Sequence, residues 1–282
     1  MMNEDAVAEN ARIQREIWNG PGGDAWVAQQ KVMDPLLSPF LPPLVEAVKA
    51  SGAQRVLDIG CGAGASTIAA AQALAPSGEA LGVDISEALI EAARGGAQEA
   101  GVKARFLCAD AGAQPLEADP FDILISRFGV MFFAEPEKAF ANLRSALKPG
   151  GRLCAMAWRS PQENLFMTVA KRAAEPEIDL PRPNPEDPGQ FAFADPDRVR
   201  RILSTSGWKD AALTPVDVEC ALPLAEIDIF ISKIGPVAYP LSQLPDAQRE
   251  AVAARIRDAY QDYVKGDEIR FAAACWRIDA LA

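Results

Sequence analysis

The chain has 282 residues, 49% of them hydrophobic, a formal net charge of −11 and a sequence pI of about 4.7. This supplies enough apolar material for one large domain with an insertion, while the acidity argues against nucleic acid, which selects a basic face, and against anionic membranes. No run of about 18 apolar residues marks a membrane span, and the charged start MMNEDAVAENARIQREIW lacks the apolar core of a signal peptide, so a cytoplasmic, soluble protein is expected.

In chain order, residues 5–18 predict an amphipathic helix with Val7, Ile13 and Ile17 along one face. A glycine loop over 18–23, a helical stretch over 24–33, a break at Pro35 and Pro39, and a helix over 42–51 ending at Gly52 follow. From residue 54 strand and helix alternate: strands over 54–60, 79–85, 102–110, 121–128 and 152–158, and helices over 65–75, 86–100 and 135–151. Ser86 is placed to cap the second of these helices, with Leu89, Ile90 and Ala93 inward. Strands spaced by helices imply βαβ units and a parallel sheet. After Trp158 the stretch 175–190 is rich in proline and acid; a helix over 195–208, a strand over 209–222, two helices over 225–237 and 245–264 and a last strand over 268–281 complete the pattern. The expected organisation is an N-terminal helical lid over 1–52 and a main domain over 53–282, with cap insertions at 160–195 and 223–265.

The chemistry is bounded first by what is missing. With no histidine, the commonest general base and transition-metal ligand are absent. The five cysteines, at 61, 108, 154, 220 and 275, form no CxxC pair, so no metal site is expected and each reads as a small buried hydrophobe.

The richest stretch is VLDIGCGAGAST, Val56 to Thr67: a strand, a glycine loop, then a helix, the arrangement that holds nucleotide-like ligands. Asp58, Asp84 and Asp110 end the first three strands, the edge where ligands bind in an open α/β sheet. Asp84 is placed to accept from ribose hydroxyls, Asp110 from an adenine amine, and the Ala111 backbone to read the ring edge. Gly60-x-Gly62-x-x-Ala65 also fits the dinucleotide fingerprint. A pyrophosphate there would face Asp58, a repulsion of roughly 4 kcal/mol at about 4 Å and an effective dielectric of about 20. S-adenosylmethionine offers an ammonium and a sulfonium instead, and the charge therefore favours it over NAD.

VLDIGCGAGAST, GVDIS (82–86), CADA (108–111), FDILISRFGVMFF (121–133) and LKPGGRL (147–153) together resemble, in order and spacing, the motifs of class I S-adenosylmethionine-dependent methyltransferases. The chain looks most like the bacterial small-molecule branch similar to ubiquinone/menaquinone C-methyltransferases. The resemblance implies an α/β, Rossmann-like, seven-stranded and mostly parallel sheet whose last strand is antiparallel and inserted beside the fifth, with helices on both faces. It implies that Asp58, Gly60 and Gly62, with Cys61 between them, line the methionine part of the cofactor. Asp84 with Ile85 would take the ribose, and Asp110 with Ala111 the adenine. Ser126, Arg127 and Phe128 would face the methionine end or the acceptor.

Other residues are open to two readings. Trp18 and Trp26 either cover the cofactor or pack the N-terminal helices on the sheet. Phe128, Met131 and Phe132 are core or acceptor pocket. Trp158, Arg159 and Asn164, after the fifth strand, and Phe191 and Phe193 are candidates for the acceptor wall. The expected reaction is in-line methyl transfer to a small, partly hydrophobic molecule, driven by proximity and orientation, with no assigned base and a carboxylate or Tyr239, Tyr260 or Tyr263 as candidate assistants. The alternatives are an NAD(P)-dependent oxidoreductase, which lacks an evident Tyr-x-x-x-Lys or histidine acid, and a non-catalytic S-adenosylmethionine-binding module.

Overall fold

The computed structural model describes residues 4–178, 180 and 184–282; positions 1–3 of the expected lid and 179 and 181–183 of the expected cap lie outside them. Five strands form the parallel part of the sheet: β1 Arg55–Ile59, β2 Glu79–Asp84, β3 Ala104–Cys108, β4 Phe121–Arg127 and β5 Leu147–Trp158. β6 Lys209–Pro223, β7 Val264–Lys265 and β8 Glu268–Leu281 complete it, in the order β3-β2-β1-β4-β5-β8-β6. β8 runs antiparallel between β5 and β6, as expected of the last strand. The two-residue β7, which pairs back on β8, adds an eighth strand to the seven expected.

The order follows from burial. Val56, Leu57, Ile59, Ile123, Leu124 and Ile125 are all buried, giving the continuous apolar runs of strands covered on both faces. The chain reverses its direction across the sheet between β1 and β4, which opens a crevice at their carboxyl ends. Helices α1 Glu4–Trp18, α2 Pro21–Ala28, α3 Gln30–Leu37 and α4 Leu41–Ser51 precede the sheet. α5 Ala65–Ala73, α6 Glu87–Ala100, α7 Pro136–Ser145, α8 Leu165–Ala174 and α9 Pro196–Thr205 follow within it. Gly52, left-handed at φ +66°, ends α4, and the Ser86 hydroxyl accepts from the Leu89 amide at the start of α6.

Several boundaries differ from expectation. The glycines at 20–23 do not make a long loop, because α2 begins at Pro21, where the missing N–H costs nothing. They are there for close approach: a Cβ on Gly20, Gly22 or Gly23 would stand 2.7, 2.8 or 2.1 Å from a carbonyl oxygen in the last turn of α1. Pro35 lies inside α3 rather than breaking it. The helix expected over 135–151 stops at Ser145; Leu147 already pairs with Phe121, and Lys148 to Gly151 form an irregularity before Arg152 pairs with Ile123. α8 was not anticipated. Of the two cap helices, residues 224–234 form short consecutive turns, and the second spans Asp246–Ala259 and packs on α8. Buried Tyr260, just past that helix, donates its hydroxyl to the Phe166 carbonyl at 2.9 Å.

Candidate functional site

The loop from β1 to α5 is built by three glycines with positive φ: Gly60 at +64°, Gly62 at +55° and Gly64 at +89°. The Gly60 and Cys61 amides both donate to the Val83 carbonyl, at 2.8 and 3.1 Å, which folds the loop over the end of β2. The Gly62 amide donates to Asp84 Oδ2 at 2.9 Å and the Ser86 amide to Oδ1 at 3.0 Å. Two backbone donors thus hold the Asp84 carboxylate in one orientation, while burial pushes its pKa up against them. Nothing lies within 4 Å of where a Cβ on Gly62 would point, so its backbone is open to the cavity beside it. At the end of β3, Asp110 accepts from the Gly112 amide at 3.0 Å, and Arg15 of α1 approaches to 3.5 Å.

Asp58 is fully buried beneath this loop. Its Oδ2 accepts from the Ser66 and Thr67 hydroxyls at 2.7 and 2.6 Å, pinning the first turn of α5, and its Oδ1 has no partner. Burial, opposed by those two hydroxyls, pushes its pKa up to about 6. Asp58 therefore shapes the loop from behind and does not form part of the cavity wall. Ser126 is likewise sealed: its hydroxyl donates to the Ile59 carbonyl at 2.7 Å and accepts from the Gly129 amide at 3.1 Å, tying β1 to the turn after β4.

In front of the loop lies a cavity of about 1600 Å³. Of the residues expected from sequence, it brings together Gly60, Cys61, Gly62, Asp84, Ile85, Asp110 and Ala111 at one end. Arg127, Phe128, Met131, Phe132 and Trp158 line its walls further on. Trp18 and Trp26 also line it; Trp18 meets Trp26 and Phe132 edge-on, with ring centroids 6.1 and 5.5 Å apart. Phe128 adopts φ +64°, a strained backbone for a bulky residue. The Phe128 amide donates to the Met156 carbonyl at 3.0 Å, and its ring stacks on Trp158 at 4.1 Å and 3°.

Four expected acceptor residues stand elsewhere. The Arg159 guanidinium pairs with Glu163 and with Asp217 and lies over the Trp276 ring, away from the cavity. Asn164 is buried and spends its amide on backbone, donating to the Ala274 carbonyl and accepting from the Ala274 amide, both at 2.9 Å. Phe193 is core, against Phe140 at 5.9 Å, and Phe191 packs on that core. The tyrosines do not reach the cavity either: Tyr239 is exposed, Tyr260 is bonded to Phe166, and Tyr263 packs against Tyr260.

The cavity also includes residues that sequence reasoning missed. Met33, Asp34 and Leu37 come from α3, Phe166 from α8, Cys220 and Phe271 from β6 and β8, and Phe230 from the cap. Phe166 and Phe271 stack at 3.5 Å. Their only sequence signal is apolar character, which core residues share. Asp34 shares its helix face with Gln30 and Lys31, so it gave no signal apart from an ordinary polar face. Among the described residues no group of three His, Cys, Asp or Glu side chains is placed to hold a metal ion, and no helix is long and apolar enough to cross a membrane.

The strand order, the glycine loop after β1 and the carboxylates ending β2 and β3 are the features expected of a class I S-adenosylmethionine-dependent methyltransferase domain. Residues 56–151, about a third of the chain, match the family model described as a methyltransferase domain. Over 116 residues the chain is 35% identical to the demethylmenaquinone methyltransferase of Thermus thermophilus, covering 41% of this chain and 52% of that protein. Over 124 residues it is 33% identical to the ubiquinone/menaquinone biosynthesis C-methyltransferase UbiE of Stutzerimonas stutzeri, covering 42% and 48%. The matched region thus spans about half the length of these curated relatives. Among solved structures, the YcgJ protein of Bacillus subtilis shares the fold with a TM-score of 0.56 at 21% identity, over 86% of this chain and 97% of that one. The magnesium protoporphyrin IX methyltransferase of Synechocystis, solved with bound S-adenosylhomocysteine, shares it with a TM-score of 0.53 at 20% identity, over 75% and 93%. None of these likenesses speaks for the dinucleotide alternative.

Proposed function

We propose that the chain transfers the methyl group of S-adenosylmethionine to a small, partly hydrophobic acceptor. The observation that carries this reading is the continuity of the cavity. Its volume, about 1600 Å³, exceeds the roughly 300–1,000 Å³ of a single small-ligand pocket, and it joins an acid-and-glycine end to an aromatic chamber. Two reactants fit side by side.

The cofactor supplies a methyl group already activated on a sulfonium. The pre-oriented Asp84 carboxylate, beside Ile85, is the acceptor for ribose hydroxyls, and Asp110 with the Ala111 backbone takes the adenine. Gly60, Cys61 and Gly62 present bare backbone to the methionine portion, with Asp58 and Ser126 fixing the loop from behind. Gly62 passes a test of fit, since the space where its side chain would be is open. Trp18 and Trp26, in an N-terminal lid over 4–52, close the cofactor end, and the described residues of the segments 160–195 and 223–265 cap the acceptor end. Phe128, Met131, Phe132 and Trp158 are the acceptor wall. The residues contribute by holding both reactants in line and excluding water; positioning of this kind is worth about 7–11 kcal/mol. All five cysteines are unpaired, which suits a reducing cytoplasm.

Calorimetric titration with S-adenosylmethionine, S-adenosylhomocysteine and NADH tests the cofactor: the first two should bind and NADH should not. Release of S-adenosylhomocysteine in the presence of a panel of aromatic acceptors tests turnover; binding without release would reduce the chain to a sensor of the cofactor.

A further inference from the structure

We propose that Arg127 is a specificity-determining residue that selects acceptors carrying an anionic oxygen, a carboxylate or an ionised ring hydroxyl, on a flat apolar body. This rests on the methyl-transfer reading of the same cavity.

The guanidinium is short of partners. Its side chain is only 8% exposed, yet of its five N–H donors one hydrogen bond is made among the described residues, from Nη1 to the Leu37 carbonyl at 3.3 Å. Asp34 stands 4.0 Å from Nη2, beyond hydrogen-bond reach, and its other oxygen accepts from Gln30 at 3.0 Å. Among the described residues, the one side-chain atom both sealed and unpartnered is Asp58 Oδ1, so the spare donors of Arg127 are not sealed; they open on the cavity that Arg127 lines. A buried cation with unmet donors is unfavourable, and its planar fork matches a carboxylate with two parallel hydrogen bonds. Burial pulls its pKa down, against the pull of Asp34 and Asp58, but an arginine stays charged.

Position says which reactant it meets. The nucleoside acids end β3 and β2, and the loop follows β1; Arg127 ends β4, one strand beyond. At about 4.8 Å per strand, it lies about 10 Å from the end of β2, on the side where β5 brings in Trp158. Its neighbour Phe128 stacks on that indole, and Phe40 meets both rings edge-on, with centroids 4.9 and 5.4 Å away. A cation beside stacked aromatic planes fits a flat ring bearing an anionic oxygen.

The test uses 2-naphthoate and its neutral isostere 2-naphthamide, titrated calorimetrically into the full chain with and without saturating S-adenosylhomocysteine. The expected result is naphthoate binding about tenfold or more tightly than the amide, as charge-assisted hydrogen bonds allow, with the preference lost in Arg127→Gln and partly kept in Arg127→Lys. Equal affinities in the natural chain, no binding of naphthoate at millimolar concentration, or a preference that survives in Arg127→Gln would each overturn the proposal. So would displacement of S-adenosylhomocysteine by naphthoate, which would mean that Arg127 holds the cofactor's own carboxylate. If Arg127→Gln does not fold, the acid-to-amide ratio in the natural chain and in Arg127→Lys still decides. Failure of S-adenosylhomocysteine to bind at all would strike the methyl-transfer reading, while the ratio measured without it judges Arg127 separately.

Discussion

Gly60 and Gly129 pack backbone against backbone: a Cβ on Gly60 would lie 2.4 Å from the Gly129 Cα, and a Cβ on Gly129 would lie 2.4 Å from the Ile59 carbonyl oxygen. The glycine loop and the turn after β4 are thereby held as one unit. The Ser126 hydroxyl bridges the same two segments. On the proposed reading the cofactor end and the acceptor wall meet at this contact, and its geometry would set how the two reactants face one another.

Gly60→Ala and Gly62→Ala should therefore fail differently. Both place a side chain at positive φ, at about 1–2 kcal/mol. Gly60→Ala adds a backbone clash, and overpacking of that kind costs about 1–3 kcal/mol more, so its melting temperature should fall further. Gly62→Ala meets no protein atom within 4 Å but intrudes on the cavity. It should melt closer to the natural chain and lose S-adenosylhomocysteine affinity. Thermal unfolding with and without that ligand, alongside calorimetry, separates the two.

Asp58 makes stability depend on pH. Burial raises its pKa in the folded chain to about 6, from near 4 when unfolded. The protonated acid is the form the fold prefers. Its favourable contribution is complete below about pH 4 and is lost as pH rises through about 6, a change of about 3 kcal/mol. Asp58→Asn removes the charge and keeps an oxygen for Ser66 and Thr67. Its melting temperature, measured against the natural chain, should gain ground between about pH 4.5 and pH 7.5; a constant difference would show that Asp58 does not titrate there.

Asp84→Asn keeps one oxygen for the two backbone donors of Gly62 and Ser86 and turns an NH2 on the other, so it should cost about 1–3 kcal/mol of stability, and should weaken S-adenosylhomocysteine binding by about tenfold or more, the worth of a charged hydrogen bond. Calorimetry reads the affinity and circular dichroism the fold. Unchanged affinity would remove the ribose assignment.

Trp18→Ala should act on cofactor retention more than on the fold. α1 is fastened at its end by Asn19, which donates to the Ile85 carbonyl at 3.0 Å and accepts from the Glu87 amide at 3.3 Å, and the Trp18 ring meets Trp26 and Phe132 edge-on. Loss of an edge-on aromatic contact removes about 0.5–1.5 kcal/mol beyond its area. The dissociation rate of S-adenosylhomocysteine, followed by stopped flow, should rise while the melting temperature of the free protein shifts by a few degrees.

Asn164→Ala and Arg159→Ala should divide structure from binding. The first removes the side-chain acceptor of the Ala274 amide, while the Ala274 carbonyl keeps the Arg159 amide as donor; an unmet buried group costs about 1–3 kcal/mol, so the melting temperature should fall. The second removes the ion pairs with Glu163 and Asp217 and the contact over Trp276; exposed pairs are worth about 0–1 kcal/mol each. Neither should change acceptor affinity directly, as read by naphthoate titration of the folded fraction.

Much of the site was legible because it is local. Val56 to Thr67 carries its strand, loop and helix start within twelve neighbouring residues, and Asp84 and Asp110 end strands whose apolar runs mark them. What could not be read is where a side chain turns. Asp58 and Asp84 both lie near the ends of neighbouring strands, but Asp58, level with Gly82, faces the hydroxyls of α5 and Asp84 faces the loop amides. Arg127 and Arg159 both follow apolar strands, and one is enclosed by α3 while the other pairs with Glu163 at the surface. The glycines at 20–23 read as a flexible loop, and proximity to α1 is what requires them.

The alternation of strands and helices, the glycine loop and the acids beside it are written in short stretches of chain, because hydrophobic period, turn chemistry and strand ends act over a few residues. That Asp34, Arg127, Phe166 and Phe271, drawn from segments as many as 237 residues apart, line one cavity follows from the packing of distant elements: how α3 and α8 lie against the sheet that includes β8, and which donors that packing leaves unmet.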